Sequence, residues 1–171
     1  MNQMNQTNTD VIQYQSLPAH AAASLLQGYQ ISLEVLPDGT PIPGSYWGDS
    51  EAGIIGQTVF IRPDTPVHSL LHESCHIICM DQHRRQQLHT DAGGEPPEEN
   101  AVCYLQILLA DYLPGFGRQR ALQDMDRWGY SFRLGSAERW FYDDAEDAHA
   151  WLRHYGLIDS NDRPVYRLRT N

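Results

Sequence analysis

His72 and His76 stand four residues apart in HSLLHESCHIICM, residues 68–80, and Glu73 directly follows the first of them. On an α-helix, four residues turn about 40° past a full circle and rise about 6 Å, so both imidazoles leave one face, one turn apart. Two neutral imidazoles at that spacing can grip a single metal ion. Glu73, about 100° further round, flanks the ion rather than ligating it from the same row, where it can hold a water molecule and take its proton. The pattern suits metal-assisted hydrolysis, with Zn2+ as the expected cofactor and Glu73 as the acid–base residue. A shuffle of this composition contains the pattern roughly once in sixty trials, so the surrounding sequence has to carry part of the argument.

A catalytic zinc takes three protein ligands and keeps one position for water. A third histidine six residues after the second is ruled out, because position 82 is Gln. A cysteine ligand upstream is ruled out too, because Cys75 is the first cysteine. Carboxylates remain. In PPEENAVCYLQILL, residues 96–109, Glu98 lies within about 80° of Ala101, Leu105, Leu108, Leu109 and, beyond the stretch, Tyr112, the apolar face expected to pack on the histidine helix. Glu99 points about 100° away. Glu98 is therefore the expected third ligand, Glu99 the reserve, and Glu95 or Asp91 come next. Acidic residues in a first turn also stabilise the helix dipole with no metal present.

The elements that must position these residues follow from local signals. Residues 16–28 predict a short helix with Ser16 as cap, 30–36 and 57–62 predict strands, and the Gly/Pro-rich stretch between them a loop or irregular hairpin. Thr65 and Pro66 mark the start of the histidine helix, expected over 66–81. Pro97 opens the next helix and Pro114-Gly115 closes it. Further helices are expected near 118–129 and 136–156, and a last short strand at PVYRL, residues 164–168. The sum is an α+β fold, mostly helical, with a small mixed or antiparallel sheet preceding the histidine helix. Residues 1–10, rich in Asn and Gln, read as a disordered lead-in, and 11–171 as one domain.

With 171 residues, the chain can bury a core without staples. A formal net charge of -10 disfavours nucleic-acid backbones and anionic lipid as partners. Arg163, Arg167 and Arg169 read as a solvated edge. No apolar run reaches the ~20 residues of a membrane helix, and the first residues lack a secretion signal. Three cysteines with no C-x-x-C pair read as reduced, buried thiols, which points to the cytoplasm.

The chain resembles the gluzincins, zinc peptidases whose third ligand is a glutamate on the helix after H-E-x-x-H, and among them the small cytoplasmic ImmA/IrrE-type metallopeptidases. The resemblance spans about residues 55–114: QTVFIRP leading into VHSLLHESCH, then EENAVCYLQILL. It departs at Cys75, Val102 and Leu105. It implies a zincin-like domain in which His72, His76 and Glu98 ligate zinc, Glu73 is catalytic, and the substrate is a protein or peptide, expected here to be one regulatory protein. The strand Thr58–Ile61 is expected to be an edge on which an extended peptide pairs. The oxyanion donor stays open among Tyr104, Tyr142, His149 and His154. The competing readings are a zincin-shaped binding module with structural zinc, and a helical domain with no metal.

Overall fold

Val59 and Ile61 alternate with Thr58 and Phe60, and the alternation sorts them onto the two faces of a strand: the first two are fully buried, the others half-buried. The computed structural model describes residues 10–171. The expected lead-in therefore lies, but for Asp10, outside the described residues. Three strands form one mixed sheet: β1 (Ser32–Val35), β2 (Gly53–Ile55) and β3 (Thr58–Ile61), in the order β1-β3-β2. β1 runs parallel to β3, with Ser32 opposite Thr58 and Val35 opposite Ile61. β2 pairs antiparallel with β3 through a tight turn at Gly56, whose φ of 59° suits glycine.

This order corrects one expectation. β3 is the central strand, not an edge, because β1 and β2 occupy both of its sides. The outer side of β2 is covered as well: Ile54 N donates to Gly44 O at 3.1 Å, and Thr90 N donates to Ile54 O at 2.9 Å. The cover is close-fitting, since a Cβ placed on Gly53 would overlap the carbonyl oxygen of Pro43 and lie 2.5 Å from Ser45 N. Those obstacles are backbone atoms and cannot swing aside. Gly53→Ala is expected to cost about 1–3 kcal/mol of stability, read from urea unfolding.

The helices are α1 (Ala21–Gln27), α2 (Val67–Cys79), α3 (Gln82–Gln86), α4 (Pro96–Ala110), α5 (Gly117–Trp128), α6 (Ala137–Asp143) and α7 (Glu146–His154). The result is the small α+β domain expected, with the mixed sheet ahead of α2. α1 starts later than Ser16 suggested. Tyr14–Ser16 forms a 3-10 turn, and Tyr14 N and Gln15 N donate to Thr65 O and Pro63 O instead of entering a helix. α3 falls between the two helices expected at 66–81 and from Pro97, and the Asp81 side chain caps it by accepting from Arg84 N.

α2 is the centre of the molecule. Leu70, Leu71, Ile77 and Ile78 are fully buried, and the helix packs on α4, β2, β3 and α5. α4 in turn packs on α7 and α5. The expected strand at 164–168 is absent. Only a single bridge joins Ile158 to Pro164, and Tyr166, at φ 57°, breaks the extended run. The chain then returns to α2, where Arg169 N donates to Ile78 O at 2.9 Å. Among the described residues, no helix is long and apolar enough to cross a membrane.

Candidate metal centre

His72 and His76 leave α2 one turn apart, with ring centroids 4.7 Å from each other. Both reach the same carboxylate: His72 Nε2 lies 3.1 Å from Glu99 Oε1, and His76 Nε2 lies 3.2 Å from Glu99 Oε2. One ligand atom from each of the three residues lies within 4.8 Å of the other two. Two ligands bonded at about 2.0–2.1 Å to one tetrahedral ion sit roughly 3.3 Å apart, which is the size of the two histidine–carboxylate separations.

Hydrogen bonding adds a second test of fit. His72 Nδ1 and Gln106 Oε1 are 2.7 Å apart, and Gln106 Nε2 donates to His68 O at 3.3 Å. With the amide so oriented, its oxygen accepts the Nδ1 proton, which leaves the Nε2 lone pair of a neutral ring facing a carboxylate oxygen. Two acceptors in that position need a positive charge between them. The titration directions agree. Burial raises the Glu99 carboxyl, but His72 and His76 outweigh it and hold Glu99 well below the usual carboxylate range. Burial lowers His72, but Tyr130, Cys103 and Glu99 outweigh it and push the ring above its ordinary value. Either protons or one divalent ion can supply the charge. His76 Nδ1 is buried with no hydrogen-bond partner.

Glu99, the reserve, meets the histidines, and Glu98, the expected third ligand, does not. Glu98 does lie on the buried face of α4, at 5% exposure, as the helical wheel requires. What fills that face is positive charge: Arg84 and Arg169 take both oxygens of Glu98. The Glu99 side chain stays 47% exposed and meets the histidines of α2. A wheel gives the angle at which a side chain leaves its helix, but not which partner awaits it there. Of the other reserves, Glu95 sits at the cap position of α4 and Asp91 accepts from Gly93 N.

Glu73 stands beside the pair, half-buried. Burial raises its carboxyl, His72 and His76 pull it down, Glu99 adds to the rise, and the balance lies above the usual value. A carboxyl shifted toward neutrality both accepts and returns a proton readily.

Several residues around the site were not foreseen. Gln106 lies seven residues after Glu99 and hence on the same stripe of α4, a signal that a wheel centred on Glu99 would have shown. Tyr130 follows Gly129, whose φ of 104° ends α5 while Tyr130 N donates back to Met125 O at 3.0 Å. That turn sets the Tyr130 ring 5.7 Å from His72 and its hydroxyl 3.2 Å from His68 Nδ1. Burial pushes the hydroxyl up to about 12 and His68 down to about 3, so both are neutral near pH 7. Glu51, from the Gly/Pro-rich loop, accepts from Trp128 Nε1 at 2.6 Å, and Trp128 packs 4.8 Å from His68. No local pattern announces Glu51.

The expected oxyanion candidates gather elsewhere. Tyr104 stacks on Phe141 at 4.5 Å and meets His149 at 5.7 Å, and His149 bonds to Asp162 at 2.6 Å. Tyr142 is 59% exposed, and His154 packs on Tyr155. None of the four hydrogen-bonds to His72, His76 or Glu99. Comparison with known proteins finds no family model, no curated protein and no solved structure that matches this chain.

Proposed function

We propose that the chain is a zinc-dependent peptide hydrolase in which His72, His76 and Glu99 hold the ion and Glu73 moves the proton. The observation that carries this reading is the convergence of two histidine Nε2 atoms on the two oxygens of one carboxylate, at 3.1 and 3.2 Å. When bound, zinc lowers the pKa of water and polarises a carbonyl oxygen. Glu73 takes the proton of the attacking water and returns it to the leaving amine. Gln106 keeps the His72 ring in the tautomer that turns Nε2 to the site. Three buried thiols, none in a disulfide, suit the cytoplasm, and the proposed substrate is a protein or peptide.

One observation favours a second reading, in which zinc only fixes α2 to α4 and there is no turnover. An extended peptide needs an edge to pair with, but β3 is internal and Gly44 and Thr90 bond the outer side of β2, which leaves the outer side of β1, across β3 from β2, as the edge of the sheet. The two readings separate on one preparation. Dialysed protein offered zinc should take up about one ion per chain. Under the first reading, it should also cleave an unfolded protein substrate, lose that activity to a chelator and regain it with zinc. Uptake without cleavage selects the second reading. A well-folded protein that takes up no zinc removes both.

A further inference from the structure

Glu98 and Glu99 are neighbours on the first turn of α4, yet they meet opposite chemistries. Glu98 is clamped. Arg84 donates from Nη1 to Oε1 at 2.8 Å and from Nη2 to Oε2 at 2.7 Å, and Arg169 Nη1 donates to Oε1 at 3.0 Å. Arg84 Nη2 also donates to Ala92 O at 2.8 Å, which ties in the loop before α4. The fork is seated tightly, because a Cβ at Gly94, whose φ is +99°, would collide with Glu98 Oε2.

Arg169 is anchored on α2 at the same time. Its N–H donates to Ile78 O at 2.9 Å, and its Nη1 donates to Cys79 O at 3.1 Å. Its own carbonyl accepts from Arg85 Nη2 at 2.8 Å. Its guanidinium lies 3.9 Å from the Tyr155 ring centroid and 5.2 Å from that of Trp151. Ile78 and Cys79 belong to the last turn of α2, just past His76. One side chain therefore bridges the end of the helix that carries the histidines and the residue preceding Glu99.

We propose that Arg84 and Arg169 are positioning residues that hold Glu99 at ligand distance from His72 and His76 by sequestering Glu98 and tying the start of α4 to the end of α2. The proposal rests on the reading of these three residues as a zinc site. Without the clamp, two adjacent carboxylates repel each other and compete for one ion, and the first turn of α4 is no longer registered against α2. Partners that orient a ligand from behind typically carry 10–100-fold in metal affinity, and this clamp acts one residue away.

The test is the zinc dissociation constant of the full chain, measured by competition with a chromogenic chelator. Arg169→Met keeps an apolar side chain of similar reach and removes the guanidinium; it should weaken binding about 10–100-fold, as should Arg84→Met. Because the clamp acts through Glu98, adding Arg169→Met to Glu98→Gln should change affinity by less than about threefold, whereas a merely structural effect would add in full. If Arg169→Met does not fold, as judged by circular dichroism, Arg169→Lys keeps the charge and loses the fork, and should still weaken binding several-fold. A folded Met or Lys variant with unaltered affinity, or full additivity with Glu98→Gln, overturns the proposal and leaves the zinc site standing. Failure of the unaltered protein to bind zinc overturns the site reading and this proposal together.

Discussion

Glu73→Gln should leave zinc bound and lower peptide hydrolysis by about 10²- to 10⁴-fold, the range that general acid–base catalysis supplies. The amide keeps the size and the hydrogen-bonding reach of the carboxyl but cannot accept a proton at neutral pH. The structure gives the substitution a clean background. Among the described residues Glu73 makes no ion pair, and its carboxyl is governed by burial, by the two histidines and by Glu99. The proposed ligand atoms belong to other residues, so zinc affinity should change by no more than a few-fold. Steady-state rates and zinc content measured on the same preparation check both halves. Undiminished turnover would remove Glu73 from the chemistry. Loss of zinc would show that it serves the ion rather than the proton.

His76→Ala has the opposite signature. It removes one of two imidazoles from the proposed three-residue site, so zinc affinity should fall by more than the ~100-fold that a supporting residue can cost. His76 is 7% exposed, so the substitution also opens space inside α2. A control is therefore needed that does not depend on activity. Zinc at a hundred times its dissociation constant stabilises a one-site protein by about 2.7 kcal/mol, and that increment should vanish in the variant while the metal-free melting temperature shifts only modestly. A variant that still melts higher with zinc would place the ion elsewhere.

How much of this was legible in the sequence varies element by element. The histidine helix was clear because period and motif agree, and its observed limits, Val67–Cys79, differ from the expected ones by one or two residues; Pro66 takes the cap position expected of Thr65, whose hydroxyl accepts from Arg62 N instead. α4 and α5 were clear for similar reasons: a proline start for one and a glycine stop for the other. The sheet was legible as strands but not as an order. Nothing local in TVFI says that a parallel partner arrives from residues 32–35 and makes β3 internal.

The site divides in the same way. His72, Glu73 and His76 are a local pattern on one helix. The third carboxylate is a contact between segments, and the wheel rightly buried Glu98 but could not see Arg84 and Arg169 arriving to meet it. Arg169 was read as solvated because a three-arginine stretch usually is. Its guanidinium instead lies against Tyr155 and Trp151, a contact that exists only once α7 is in place.

The burial of α2 on nearly every side has one more consequence. A rod walled in by a sheet and by neighbouring helices has little freedom to tilt or rotate, so the gap between the two imidazoles is a property of the whole interior. Under the proposed reading, packing alone assembles the cradle, and coordination need not supply the energy of folding. Stripping the ion would leave the cradle standing, and affinity would then depend on how well a rigid opening matches ionic radius.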